Sequence, residues 1–218
     1  MIVDALSITT FDRHRIFGGW FRWQIEKQAC KTYGGYFADE TCKTLGAHRE
    51  SARRYRSGRT FNSSDYRLWL DDDDYLHPDR VARQVRLLDE NPDAPYVAFT
   101  AAFFLDMKTR RLCPYESGGA APLALTMFRR ETLAAVAFDE TLDYGEDTEY
   151  MRRVEAKFGP GLRVRDPYMT LFGCHPYNTS KEARANMVFS IPLDELRGPL
   201  GWTERDDGEL EKVVGGFR

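Results

Sequence analysis

Trp69-Leu70-Asp71-Asp72-Asp73-Asp74-Tyr75-Leu76-His77-Pro78 sets a short apolar run directly against four consecutive carboxylates. Arg67-Leu68-Trp69-Leu70 reads as a strand, and adjacent aspartates repel one another, so stability alone does not explain them. Open α/β sheets bind ligands at the carboxyl ends of their strands, which is where Asp71 falls. Hard divalent cations such as Mg²⁺ or Mn²⁺ select carboxylate oxygens and leave positions for phosphate oxygens. A strand followed by Asp-x-Asp therefore suits a metal bridging a diphosphate, with Asp71, Asp72 and Asp73 as candidates. A solvated acidic turn capping the next helix competes with that reading, because acids near a helix N-terminus are favourable anyway. An EF-hand is excluded: His77 falls near the sixth loop position, where glycine is required.

Outward from this stretch, Pro78 suits a first helical turn, and Val81, Val85, Leu87 and Leu88 give the helical stripe that Asn91-Pro92-Asp93 ends. Tyr96 to Leu105 reads as one buried strand, and Asp106-Met107-Lys108-Thr109 as a hairpin turn into Arg111-Leu112-Cys113. Leu125 to Phe128 is a strand, followed by a short helix from Glu131 to Val136. Glu146 opens a helix that Gly159-Pro160 stops. Tyr168 to Gly173 is a strand leading to His175. Toward the N-terminus, Leu6 to Thr9 is a first strand, Asp12 caps a helix through Trp20, Trp23 and Ile25, and Tyr33 to Ala38 is a second strand. Strands alternating with helices predict an α/β fold with a mainly parallel central sheet and helices on both faces. One domain is expected over residues 1–199. Residues 200–218, Gly-rich and acidic, are expected to be a poorly ordered tail.

The segment from Trp69 to Pro78 resembles the "hhhDxDD-aromatic-h-x-P" run of family 2 glycosyltransferases, which have a GT-A type (Rossmann-like) fold. Arg80-x-x-x-Gln84 and Asn91-Pro92-Asp93 are similar to that family's next helix. Downstream, Met127-Phe128-Arg129-Arg130-Glu131, Phe138-Asp139-Glu140 and Tyr144-Gly145-Glu146-Asp147 resemble its "h-x-R-R…G-F-D-E…G-E-D" run. The resemblance implies transfer of a sugar (a hexosyl-type reaction) from a nucleotide-diphosphate sugar, UDP-linked, with Mn²⁺ or Mg²⁺ and inversion at the anomeric carbon. It also implies that Asp147, beside Glu146, is the catalytic base. The chemistry needs one, since an acceptor hydroxyl must lose its proton as the oxocarbenium-like transition state forms. Phe172-Gly173-Cys174-His175-Pro176-Tyr177-Asn178-Thr179-Ser180 looks like the "H-x-x-N-x-S" element, so by resemblance His175 joins Asp73 and Asp71 at the metal or diphosphate. Thr9-Thr10-Phe11-Asp12-Arg13 takes the place of "P-T-Y-N-R" lining the nucleotide pocket, with Asp12 for Asn and no proline. Asp39 stands for the base-holding aspartate of "DDGS", and Arg59 and Asn62 for the "A-R-N" piece near the donor.

Composition narrows the classes. A 218-residue chain with a net charge of −3 and pI near 5.9 has no global field for nucleic acid or anionic membranes. The run from Arg49 to Arg59 is locally basic: a solvated helix face, or a contact for donor phosphate or a polyanionic acceptor such as modified nucleic acid. The acceptor itself, glycan or small molecule, is not readable. The longest apolar runs are too short for a bilayer span, and Met1-Ile2-Val3-Asp4 opens no secretory pattern. Together with four scattered cysteines, Cys30, Cys42, Cys113 and Cys174, read as free thiols, this gives a cytoplasmic expectation. Two rivals remain. One is a haloacid-dehalogenase-like phosphatase with Asp71 as nucleophile and Asp73 as acid/base. The other is a sugar-nucleotide binding module without turnover.

Overall fold

Residues Tyr66–Trp69 form the strand β3 that the apolar run predicted, and it sits at the centre of a six-stranded sheet. The structure is a computed structural model and describes residues 3–8, 11–28, 32–37, 43–57, 64–176 and 187–217. Beside β3 on one edge lie β1 (Val3–Ile8) and β2 (Thr32–Phe37), both parallel to their neighbours. On the other edge β8 (Thr126–Arg129) runs antiparallel to both β3 and β5 (Tyr96–Phe99), and β9 (Leu162–Val164) is parallel to β5. The sheet order is β2-β1-β3-β8-β5-β9. A mixed sheet thus replaces the mainly parallel one expected. Helix–strand alternation in sequence does not reveal that β8, entered from a short 3-10 turn at Leu123–Leu125, runs backwards between two forward strands.

The helices cover both faces, as expected. Period-two alternation in β3 sends Leu68 to one face and Trp69 to the other. Leu68, Val97 and Met127 pack with Phe21 of α1 (Phe11–Glu26) and with Val81, Val85 and Leu88 of α3 (Arg80–Glu90). Each of those α3 side chains contributes about 1.5–3 kcal/mol by leaving water. Trp69, Tyr96, Ala98 and Phe128 pack on the opposite face. Their partners are Ala52 of α2 (Leu45–Ser57), Leu133 of α4 (Arg130–Ala135), and Tyr150, Met151 and Val154 of α5 (Glu146–Phe158).

The stretch expected as one strand from Tyr96 to Leu105 divides at Thr100 into β5 and β6 (Ala101–Asp106). The Thr100 N–H donates to Val164 O while its own carbonyl accepts from Ser117 N–H, so the chain changes hydrogen-bonding partners there and leaves the first sheet. It enters a second, five-stranded sheet with β7 (Arg111–Glu116), β10 (Thr170–Cys174), β4 (Tyr75–Leu76) and β11 (Ile191–Pro192), in the order β11-β7-β6-β10-β4.

Residues beyond 196 correct the expectation of a loose tail. A short helix α6 (Arg197–Leu200) is followed by α7 (Glu204–Gly215), which begins in a capping box: Thr203 Oγ1 accepts from the Asp206 N–H and Asp206 accepts from the Thr203 N–H. Asp206, fully buried, also accepts from Trp23 Nε1 (2.8 Å) and Lys27 Nζ (2.9 Å) beside α1. Leu210 and Val213 enter one cluster with Phe17, Trp20, Leu105, Leu112 and Leu171, so α1 and α7 roof the second sheet. Acidic residues and glycines hid the Thr-x-x-Asp cap and the apolar spacing behind it.

Candidate functional site

The four aspartates leave β3 between buried anchors, Leu70 before them and Tyr75-Leu76 after them, so their backbone is fixed at both ends. A turn closes with Asp74 N–H donating to Asp71 O. The four side chains then meet different fates. Asp71 is the outermost, its side chain 43% exposed, while Asp72, Asp73 and Asp74 are buried. Asp74 Oδ1 accepts from the Gly173 N–H (3.2 Å), and its other carboxyl oxygen is enclosed without a hydrogen-bond partner among the described residues. Burial first, then the negative charges of Asp73 and Asp71, push the Asp74 carboxyl well above the usual carboxylate range. Through the Gly173 N–H it ties β10 to the turn.

Asp73 reaches the loop after β10: its Oδ2 lies 2.6 Å from His175 Nε2. Gly173 makes this approach possible. A Cβ there would come within 3.1 Å of the Asp73 carbonyl carbon, nearer still to its oxygen, and 2.6 Å from Met107 Cε. The two motifs that the sequence set about a hundred positions apart therefore meet because one residue has no side chain.

The second acidic motif opens α5. Gly145 takes a left-handed conformation (φ 73°) just before the helix, which turns the chain so that Glu146 is buried and Asp147 half-buried in the first turn. Arg49 of α2 joins it to the first motif. Its Nε donates to Glu146 Oε1 (3.0 Å), and a terminal nitrogen lies 3.8 Å from Asp71 Oδ1. Burial works against the guanidinium, but Asp71, Glu146 and Asp147 together outweigh it and raise its pKa above that of a free arginine. The Asp147 charge also acts on the Tyr115 phenol of β7, whose pKa is raised first by burial and also by that charge. Helix α2 is held there by Gly46, whose N–H donates to Leu142 O and whose missing side chain admits the Asp139 carbonyl. Farther along α2, Arg53 and Arg54 both pair with Glu50, and Arg54 also with Glu140. The basic run is thus neither a plain solvated face nor a bare phosphate cradle at these positions.

Of the residues that sequence reasoning named, the structure brings Asp73 to His175, and Asp71 and Glu146 to Arg49, with Asp147 next to Glu146. That reasoning weighed Arg49 only as one of a basic run and missed Tyr115 as a neighbour of Asp147. Thr9, Thr10, Asp39, Arg59, Asn62, Asn178 and Ser180 lie outside the described residues, as do Cys30 and Cys42. So do the side chains of Phe11, Asp12 and Arg13, whose backbone forms the first turn of α1, one residue ahead of the expected Asp12 cap. Neither Cys113 nor Cys174 is in a disulfide. No helix among the described residues is long and apolar enough to cross a membrane.

The expected metal trio does not form as a trio. Among the described residues no group of three or more His, Cys, Asp or Glu side chains gathers around one point. Asp73 and His175 are in contact, whereas Asp71 turns toward Arg49. A carboxylate and an imidazole still fit a hard cation that takes only one or two protein ligands and fills its remaining positions with water and substrate phosphate oxygens.

No protein-family model and no curated protein matches the sequence. Solved structures share its fold. The structure of S. aureus TarS 1-349 in complex with UDP-GlcNAc matches with a TM-score of 0.59 at 11% identity, over 100% of this chain and 80% of that one. A longer S. aureus TarS structure matches at 0.56 and 12%, over 81% of this chain and 37% of that one, so the present chain spans little more than a third of its length. A glycosyltransferase involved in glycosylation of the major capsid of PBCV-1 matches at 0.48 and 14%, over 84% and 97%, too slight a likeness to argue from. These structural neighbours are glycosyltransferases, and at such identities what they share with this chain is the fold.

Proposed function

We propose that this chain, built on a fold it shares with glycosyltransferases, is a single-domain GT-A type enzyme that transfers a sugar from a UDP-sugar to an acceptor hydroxyl with inversion. The observation that carries the reading is the junction of the two acidic motifs: Arg49 touches Asp71 and Glu146 while Asp73, two residues along the same turn, meets His175. Each contact joins segments distant in sequence, and a solvated acidic turn requires none of them. In this reading Asp147 takes the proton of the attacking hydroxyl. Glu146, locked to Arg49, fixes the first turn of α5 and hence the direction of Asp147. Asp73 and His175 would hold Mn²⁺ or Mg²⁺, which neutralises charge on the departing nucleoside diphosphate when bound. Asp71, the exposed member of the four, faces the donor. By the family resemblance, Thr9 to Arg13, Asp39, Arg59 and Asn62 would contact the nucleotide.

UDP-GlcNAc bound to S. aureus TarS makes that donor the first to test. Calorimetric titration with UDP-GlcNAc should give binding in Mn²⁺ that is weaker in EDTA, and Asp73→Ala should remove the difference. Binding that is indifferent to both EDTA and Asp73→Ala would retire the metal assignment. Phosphate release from p-nitrophenyl phosphate, lost in Asp71→Asn, would favour the phosphatase.

A further inference from the structure

One side of the basic helix α2 is turned to the segment that carries the second acidic motif. The contacts recur at positions 45/46, 49/50 and 53/54, a four-residue repeat that keeps them on that side. Thr44, just before the helix, donates from Oγ1 to Glu140 O (2.6 Å). The Leu45 N–H donates to Asp143 Oδ1 (3.2 Å) and the Gly46 N–H to Leu142 O (2.9 Å). One turn on, Arg49 Nε donates to Glu146 Oε1 (3.0 Å), and Glu50 Oε2 accepts from the Phe138 N–H (3.0 Å). A further turn on, Arg53 Nη1 donates to Ala134 O (3.0 Å), and Arg54 pairs with Glu140.

The first turn of α2 therefore does not close on its own residues alone. A helix start leaves four N–H groups without partners inside the helix. Here Thr44 Oγ1 takes the Ala47 N–H (3.1 Å), while the Leu45 and Gly46 N–H groups are taken by Asp143 and Leu142 from far along the chain. The loop that supplies these acceptors is itself shaped. Asp139 Oδ1 accepts from the Thr141 N–H (3.0 Å), and Asp139 Oδ2 accepts from Arg153 of α5 (2.8 Å).

Between Asp143 and Asp147 stands Gly145, in the left-handed region (φ 73°) and without a side chain to restrict it. A glycine at the entrance to α5 leaves the direction of the first helical turn to whatever holds the chain on each side. Asp143 holds it before the glycine and Glu146 after it. Their partners, Leu45 and Arg49, are four residues apart on α2, about 6 Å along its axis. We propose that Asp143 is a positioning residue for Asp147: with Glu146 it clamps the glycine corner onto successive turns of α2 and so fixes where the base points. The base in this inference rests on the proposed function; the clamp rests on the contacts alone.

The test uses the full chain with Asp143→Ala, which removes the acceptor, and Asp143→Asn, which keeps a side-chain oxygen for the Leu45 N–H. Asp143 is exposed, so neither change disturbs the core. ¹H–¹⁵N spectra report exchange of the Arg49 Nε–H with solvent, the signal being assigned by its loss in Arg49→Lys. Single-turnover release of UDP from UDP-GlcNAc in Mn²⁺, with water as acceptor, reports the base, and titration with UDP reports the donor site. In Asp143→Ala the Arg49 Nε–H should exchange faster and UDP release should slow, each by roughly 2- to 30-fold, the worth of a helix cap. Both should return in Asp143→Asn, and UDP affinity should change by less than the rate. A merely structural role would not give that split, since general loosening lowers affinity and rate together. Wild-type Arg49 exchange in Asp143→Ala overturns the inference, and so does altered exchange with an unaltered rate. Wild type that releases no UDP would defeat the functional reading, and the Arg49 exchange would still decide the clamp.

Discussion

Replacing Gly173 by alanine tests whether the whole site depends on one close backbone approach. The new Cβ would stand 2.6 Å from Met107 Cε, against about 3.5–4.0 Å for carbon atoms at ease. Roughly 1 Å must be found, and the backbone of Asp73 blocks the other side. Met107 is buried and can swing little, so β10 or the aspartate turn must retreat. Overpacking of this kind costs about 1–3 kcal/mol. For a chain of this size that corresponds to a fall in Tm of roughly 2–12 °C. The same retreat stretches the Asp73–His175 bond from 2.6 Å toward and past the limit of a hydrogen bond, so the loss should be larger in function than in stability. Thermal unfolding gives the first quantity and titration with UDP and Mn²⁺ the second. A Gly173→Ala protein with wild-type Tm and wild-type Mn²⁺-dependent UDP affinity would refute the reasoning, since it would mean the two segments need not be in register.

Three further outcomes follow from the same geometry. Asp147→Asn should keep UDP affinity in Mn²⁺ and lose transfer by on the order of 10²–10⁴-fold, read by product formation in single-turnover assays; full turnover would move the base elsewhere. Arg49→Met should destabilise by about 3–5 kcal/mol in denaturant unfolding, because it leaves Glu146 buried without its cation beside Asp71. Arg49→Lys should recover only part, because an ammonium cannot reproduce the guanidinium fork. Asp74→Asn should leave Tm within a few degrees of wild type, since a neutral amide oxygen can accept from Gly173 as Asp74 does, whereas Asp73→Asn should abolish Mn²⁺-dependent UDP binding.

What the sequence made legible, and what it did not, divides along one physical line. Periodicity and punctuation located β3, the α3 stripe, the β6–β7 hairpin turn and both ends of α5, because each of those signals is local. The reversed β8, the division of the Tyr96–Leu105 run at Thr100 and the second sheet are pairing decisions, and nothing within ten residues of them encodes the partner. The site followed the same rule. Acidic residues at strand and helix ends stood out by type, but the four aspartates are alike in sequence and are told apart only by what surrounds them. Asp71 reaches Arg49, Asp73 reaches His175, and Asp74 is closed off beneath Gly173.

The C-terminal residues show why composition misled where pattern would not have. An acidic, glycine-bearing segment satisfies the usual description of a loose end, yet Thr203-x-x-Asp206 closes a capping box and Leu210 and Val213 face one cluster. The decisive feature is that Asp206 is paired from outside its own helix, by Trp23 and Lys27. A buried carboxylate is tolerated only with such partners, so α1 and α7 must dock together or not at all. Because Phe17 lies on one of these helices and Phe217 follows the other, the contact that orders the end of the chain also brings both rings to His175. Loosening the α1–α7 pair should therefore also disturb the two rings packed against His175.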